Sequence, residues 1–309
     1  MKIVAVLNPI SGGNDKDDFI EYFKETSSFY GIETAIFETT GTNDLKKLAK
    51  FLKSDSFDLI MAVGGDGTFA LAALASANGK TSVGIIPFGS ANGMAKELGV
   101  NQDPNMAFDD LLKSRIARKM DMLCINHSVK SIHLADIGVN ARVVKAFEED
   151  ENRGMLTYGK YFARELQNME RIEYSVEANG ETISGHCVMI IIANGRKFGT
   201  GVSITEFGNP FDGVFEIVIV EEINLGTILK AGLSAIDQLY TPQNVSRIIT
   251  TEKAVISFSN PQFLQADGEV IGEFDQLNVK MLAEEFLFQT HLGNPYISND
   301  AKQGDSEID

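Results

Sequence analysis

A chain of 309 residues, 44% of them hydrophobic, is long enough for one large domain or two ordinary ones with cores of their own, and two is the expectation. Its 43 acidic against 27 basic residues leave a formal charge of -16, which works against binding nucleic acid or a strongly anionic membrane, so an anionic ligand must be held by local donors. Cys124 and Cys187 stand far apart without zinc-type spacing, which argues against a disulfide framework or metal cluster and fits a reducing, cytoplasmic setting.

The opening "MKIVAVLNPI" is too short an apolar run for an export signal, ends in Asn-Pro, and reads as a first strand over KIVAVL. In "DDFIEYFKETSSFYG" the residues Phe19, Ile20, Phe23 and Tyr30 share one side of a helix that Gly31 is placed to end. "TAIFET" reads as a second strand, and "NDLKKLAKFLKSD" as a helix capped by Asn43 with Leu45, Leu48, Ala49 and Leu52 inward. "DLIMAV" and "SVGIIPF" read as strands buried on both faces, each running into a glycine-containing turn and a further helix. This alternation predicts a doubly wound parallel α/β domain over residues 1–120. Nothing approaches the roughly 20 apolar residues that a membrane span needs.

Beyond residue 120 the rhythm changes to a helical stretch over about 140–169 and then to strands with turn signals. "YSVEANGETISG" carries Asn-Gly between two alternating runs, a hairpin signal. "VMIIIANG", "VFEIVIV", "RIITT", "KAVISFS" and "LNVKML" continue in that style with one helix near 225–240 between them, which predicts an antiparallel, sandwich-type second domain. The acidic tail "NDAKQGDSEID" is expected to be disordered.

The stretch "LIMAVGGDGTFALAAL" breaks off a buried strand at three glycines, one carboxylate and one hydroxyl. At the carboxyl end of a parallel strand, Gly64, Gly65 and Gly67 would let a phosphate approach the backbone, and Thr68 would cap the following helix. Asp66 beside phosphates implies a bridging cation or a bound ribose or water. The alternative is a tight strand-to-helix turn with Asp66 as a second cap. "NPISGG" after the first strand and "PFGSANG" after the fourth bring small residues with Asn or Ser donors to the same edge, which turn-making alone does not explain. Neither a Walker loop nor the dinucleotide G-x-G-x-x-G is present.

"NPISG", "GGDGT", "PFGSANGMAKELG", "MDML", "IIIANGRKFGTG", "DGVFEIVIV" and "QADGE", in this order over nearly the whole chain, resemble the catalytic domain of the diacylglycerol and sphingosine kinase family, including its soluble bacterial lipid-kinase branch. The resemblance implies an ATP-binding α/β domain over 1–120, completed by a return of the last residues, 290–309, and a β-sandwich over 121–289, with the active site between them. By the same likeness Asn8, Pro9, Ser11, Gly12, Thr40, Gly64, Gly65, Asp66, Gly67, Thr68 and Ser90 line the nucleotide site, with Asn92 supporting its turn.

Asp267 and Glu269 in "ADGEV" are then the acid-base pair, Asp267 the candidate base; without the likeness this is a surface hairpin with solvated acids. "NPFDGVF" resembles a structural magnesium loop, with Asp212 and oxygens at Asn209 and Val214 as ligands, or else an Asp-Gly turn before a strand. The four histidines, at 127, 133, 186 and 291, lack ligand spacing and read as structural. The implied cofactors are ATP and Mg2+. The implied partners are a lipid with a free hydroxyl and a transient membrane surface, and family members are often dimers, so a homodimer is among the expected states.

Several positions depart from the family pattern. Ala70 and Leu71 stand where an Asn and a Glu are common, and Gly93 where an aspartate of the magnesium network is usual. Gly13 replaces a basic residue, with Lys16 close by; Ala141 replaces an acidic one; and Arg153 is a candidate for a helix lysine. An NAD kinase, which "GGDGTFALAA" resembles locally, and a nucleotide- or lipid-binding pseudokinase are the alternatives.

Overall fold

The computed structural model describes residues 1–13, 16–77, 79–114, 116–148, 160–161, 164–165, 170–197, 204–222 and 247–297. The predicted helix near 225–240, most of the helical stretch after residue 148, Arg153 and the acidic tail from 298 lie outside them. The described residues form two compact units, one from Met1–Met120 and the residues from Glu284 onward, the other from residues between Asp121 and Ala283.

In the first unit, β1 (Lys2–Leu7), β2 (Glu33–Glu38), β3 (Leu59–Gly64) and β4 (Ser82–Pro87) are parallel in the order β2-β1-β3-β4. The end of a long strand, β14 (Glu269–Thr290), adds a further parallel pairing on β4 through Phe288 and Val83. Strands β3 and β4 are buried at every position, as helices on both faces require. On one face α1 (Asp17–Phe29) and α5 (Pro104–Lys113) pack Phe19, Phe23 and Phe108 against Ile3, Ala5, Leu7, Leu59 and Met61. The ring of Phe108 meets Phe19, Tyr22 and Phe23 edge-on at centroid distances of 6.3, 6.4 and 5.3 Å. We expect Phe108→Ala to cost about 3–5 kcal/mol, read as a lower urea midpoint, because it removes a fully buried ring and leaves its three partners facing a void.

On the opposite face lie α2 (Asp44–Ser54) and α3 (Asp66–Ser76), which contact each other; Phe69 of α3 packs against Phe286 and Phe288. Local expectations fail at helix ends. Tyr30 is the exposed C-terminal cap of α1, although Gly31 at φ 65° ends it as expected. Leu45 is exposed rather than inward, and Asn43 is left-handed without a capping bond. The Asp44 carboxylate accepts from the amides of Thr40 and Gly41, which ties down the loop before the helix and not its first turn. α5 was not singled out from the sequence, although Asp103 and Pro104 are signals of a helix start: the Asp103 carboxylate accepts from Met106 N at 3.0 Å, and a proline costs nothing at the first helical position.

The second unit is antiparallel. β7 (Leu134–Gly138), β10 (Met189–Ala193), β11 (Phe215–Val220), β12 (Arg247–Thr251), β13 (Lys253–Ala266) and the start of β14 follow the order β12-β11-β10-β7-β13-β14. β8 (Ile172–Ala178) and β9 (Glu181–Cys187) form the expected hairpin, with Asn179 and Gly180 at φ 55° and 80° as a two-residue turn demands. β5 (Ile116–Ile125) pairs with the short β6 (Val129–Ser131), and α6 (Val139–Glu148) follows β7 directly. Alternate residues such as Ala135, Ile137, Ile190, Ile192, Ile217 and Leu264 form its core. The runs KAVISFS and LNVKML are parts of two longer strands joined at Asp267-Gly268.

Candidate active site

Three loops meet at the carboxyl edge of the parallel sheet. After β1, Asn8 N donates to Val63 O at 3.2 Å and its Oδ1 accepts from Ile10 N, a local turn; the Ser11 hydroxyl donates to Asn8 O. Gly12 has φ +68°, and a Cβ there would lie 2.1 Å from Phe88 O, so both conformation and space require glycine. Lys16 is buried, with Nζ donating to Ser11 O at 2.8 Å and lying 5.4 Å from the centroid of the Phe88 ring. It supplies a positive charge beneath the loop where Gly13 lacks one. Pro9 and Ser90 are exposed.

After β3, a Cβ on Gly64 would meet Thr68 Oγ1 at 2.2 Å, and a Cβ on Gly89 would come within 2.4 Å of Gly65 Cα. Gly65 and Gly89 let the second and third loops touch backbone to backbone, while Gly64 makes room for the Thr68 side chain. Gly67 differs from them. Its conformation is not left-handed and nothing lies within 4 Å of its Cβ direction, so neither packing nor geometry requires glycine there. Thr68 is not the cap of α3. Gly65 occupies that position, and Thr68 is a buried residue of the first turn, its amide donating to Gly65 O.

Asp66 reaches across to the third loop, where its two carboxylate oxygens accept from Gly93 N and Met94 N at 2.8 Å each. It caps the short helix α4 (Gly93–Glu97) rather than its own helix α3, which neither of its sequence readings anticipated. Asn92, at φ 51°, accepts from Gly89 N at 2.7 Å and closes the same loop. Thr40 follows β2; its hydroxyl donates to Asp44 and accepts from Lys47 Nζ. It is therefore engaged within its own loop.

In the second unit Asp267 sits in the β13–β14 turn at φ 48°, followed by Gly268 at φ 89°. Its carboxylate points back into the unit. Oδ1 accepts from Ser131 Oγ, His133 N and Leu134 N at 2.8, 3.1 and 3.2 Å, and Oδ2 from Ile132 N at 2.9 Å. Burial raises its pKa, opposed by the Ile132 amide, the His133 imidazole, Ser131 and the Leu134 amide. His133, which reads as merely structural in sequence, is thus an electrostatic neighbour of this carboxylate, and its buried Nε2 has no partner. With three hydrogen bonds on Oδ1 and one on Oδ2, Oδ2 is the oxygen with a lone pair left to take a proton. Glu269 begins β14 with an exposed side chain, so the two acids do not form one paired tip.

The loop before β11 holds the other acids. Asp212 Oδ1 accepts from Val214 N, Asn209 Oδ1 from Phe211 N, and the buried Asp121 carboxylate from Gly213 N at 2.7 Å. Desolvation, with the Asp121 charge, pushes Asp212 up to about 6. Desolvation and the Asp212 charge push buried Glu216 up to about 7. A cluster of carboxyl and carbonyl oxygens of this kind fits a hard cation. Among the described residues no group of three or more ligating side chains occurs, so an ion held here would rely on main-chain oxygens and water.

Asp136 and Gln265 were not singled out by sequence, although a lone carboxylate in the apolar run "LADIG" was a signal. Asp136 is fully buried in β7, and burial pushes its carboxyl up to about 6 against hydrogen bonds from Gln265, Asn140 and the Ala141 amide. Because the folded pKa lies above the ordinary 3.8, ionising this group costs stability at neutral pH, and the cost fades as pH falls from about 6 towards 4. Asp136→Asn is therefore expected to stabilise the protein by about 2–3 kcal/mol at pH 8 and negligibly near pH 4, measured by urea unfolding at both.

Residues 2–125 match the family description "Diacylglycerol kinase catalytic domain", and residues 134–282 match "YegS C-terminal NAD kinase beta sandwich-like domain". A diacylglycerol kinase of Bacillus subtilis (strain 168) is 23% identical over 295 residues, covering 91% of this chain and 96% of its own. A crystal structure of a diacylglycerol kinase from Bacillus anthracis str. Sterne superposes with a TM-score of 0.70 at 19% identity, covering 96% of this chain and 98% of its own. An NAD kinase from Archaeoglobus fulgidus, solved in complex with ATP, shares the fold more distantly, with a TM-score of 0.56 at 12% identity over 99% of each chain. Matched over most of its length by these two descriptions in succession, an α/β catalytic domain and then a β-sandwich, the chain belongs to the diacylglycerol kinase and YegS-type lipid kinase family.

Proposed function

We propose that this protein transfers the γ-phosphoryl group of ATP to the free hydroxyl of a diacylglycerol-like lipid. The observation that carries this reading is the cross-linked edge of the first unit, where Gly12, Gly65 and Gly89 bring three loops together and Gly67 stands open at the start of α3. Amides at the start of an eleven-residue helix favour phosphate, and buried Lys16 adds a fixed positive charge to the neighbouring loop. Asn8, Pro9, Ser11, Gly12, Thr40, the run Gly64 to Thr68, Ser90 and Asn92 are the proposed nucleotide residues.

Asp267 is the proposed general base, receiving the hydroxyl proton on Oδ2 as the oxygen attacks phosphorus. Its elevated pKa suits that role, and the four donors around it hold it in one rotamer. Glu269 is the proposed auxiliary acid. Magnesium, when bound, neutralises phosphate charge and braces the loop; Asp212 with oxygens of Asn209 and Val214 would hold the structural ion. No helix among the described residues is long and apolar enough to cross a membrane, so the lipid would be met by surface adsorption. With a net charge of -16 that adsorption is transient and not strengthened by anionic lipid.

Purified protein with magnesium, γ-labelled ATP and either diacylglycerol in mixed micelles or NAD tests the proposal. Labelled lipid is the expected product. Labelled NADP would replace this reading with an NAD kinase, for which Ala70 and Leu71 speak locally, and ATP binding without product on either acceptor would leave a pseudokinase.

A further inference from the structure

The Asp267 turn is held from two sides, and only one of them involves its own carboxylate. On the other side Gly268 N donates to Gln265 Oε1 at 2.8 Å, while Gln265 Nε2 donates to Asp136 Oδ2 at 2.5 Å. The register of β7 and β13 sets Gln265 directly opposite Asp136, so the two side chains share a sheet face, the one that α6 covers with Asn140. Asn140 Nδ2 donates to the same Oδ2 at 2.6 Å.

We propose that Asp136 is a positioning residue for the turn that carries Asp267, acting through Gln265. This rests on the reading of Asp267 as the base. The logic lies in donor and acceptor inventory. A carboxylate only accepts, so it draws the NH2 end of the Gln265 amide towards itself and leaves the oxygen end facing Gly268 N. Without that acceptor the amide is free to flip, and an NH2 group would then meet the Gly268 N–H donor to donor. The turn would lose its second anchor, and the basic oxygen at position 267 would no longer be held in place relative to the attacking hydroxyl.

Asp136→Asn keeps the acceptor, because both side-chain hydrogen bonds, from Gln265 and Asn140, use Oδ2, and one oxygen remains in the amide. Asp136→Ala and Gln265→Met both break the chain, and Gln265→Met does so with the carboxylate still present. Two readouts are needed: hydrogen exchange at the Gly268 amide by NMR, and kcat and KM for ATP with micellar diacylglycerol.

In Asp136→Ala and Gln265→Met we expect Gly268 exchange to speed up about tenfold or more, and kcat to fall about tenfold or more with KM for ATP within about twofold. Asp136→Asn should stay near wild type in both readouts, and Asp136→Ala with Gln265→Met together should be no worse than Gln265→Met alone. Unchanged Gly268 exchange or kcat in Asp136→Ala, or multiplying effects in the double variant, would overturn the inference. If Asp136→Ala does not fold, Gln265→Met decides by the same two readouts. A wild-type protein without lipid turnover would sink the proposed function, and Gly268 exchange would still judge the relay.

Discussion

Asp267→Asn is expected to lower lipid phosphorylation by about 10²-fold or more while ATP affinity stays within about twofold. The substitution keeps the shape of the side chain and one acceptor oxygen, so Ser131, His133 and Leu134 keep their partner. What changes is Oδ2, where an NH2 group cannot take up a proton and faces the Ile132 amide donor to donor. That clash costs about 1–3 kcal/mol of stability, so a melting curve must accompany the rate to separate chemistry from unfolding. Isothermal titration with a non-hydrolysable ATP analogue supplies the binding arm. Wild-type turnover in a folded variant would remove Asp267 from the mechanism altogether.

Gly67→Ala should separate two effects that mutations at Gly12 or Gly65 would confound. At Gly12 the backbone is left-handed, and at Gly65 a Cβ would stand 3.1 Å from Gly89 Cα, so a loss of binding there would be inseparable from loop distortion. At Gly67 a methyl group enters open space on an ordinary helical backbone. Alanine should therefore stabilise α3 by about 0.5–1 kcal/mol. If the opening of α3 receives phosphate, the same methyl stands in its path, and ATP affinity should fall about tenfold or more. A higher melting temperature with weaker ATP binding is the expected pair of results. A higher melting temperature with unchanged binding would leave the glycine without a ligand-based reason.

Much of the fold was legible because each strand of the first unit announces its environment. The runs over Leu59–Gly64 and Ser82–Pro87 are unbroken apolar segments, which only a sheet covered on both faces accommodates. The hairpin at Asn179-Gly180 was equally plain, since those two residue types tolerate the left-handed conformations of its turn. Helix ends were less legible. Asn43 and Thr68 are good capping residues by type, yet Asn43 makes no capping bond and Gly65 holds the cap position of α3, because capping depends on the backbone conformation that the preceding loop imposes.

The sites divide in the same way. Residue types marked the glycine loops, because unusual conformations need particular residues close together, whereas the Asp267 turn and the acidic loop at Asp212 were marked by resemblance to the family. The partners of those residues were not readable. Asp66 finds its bonds 27 and 28 residues onward, at Gly93 and Met94, and Asp267 is clamped by amides more than 130 residues earlier. Asp136 and Gln265 meet across 129 residues through the register of two antiparallel strands. A local turn is encoded by its own few side chains, whereas a cross-strand contact exists only once the register has been chosen by the burial of the whole sheet. The amino-acid sequence alone therefore determined the layered α/β and β-sandwich plan and the positions of the candidate loops. Which oxygen of Asp267 stays open, and what holds its turn in place, was decided only when tertiary packing brought distant donors and acceptors together.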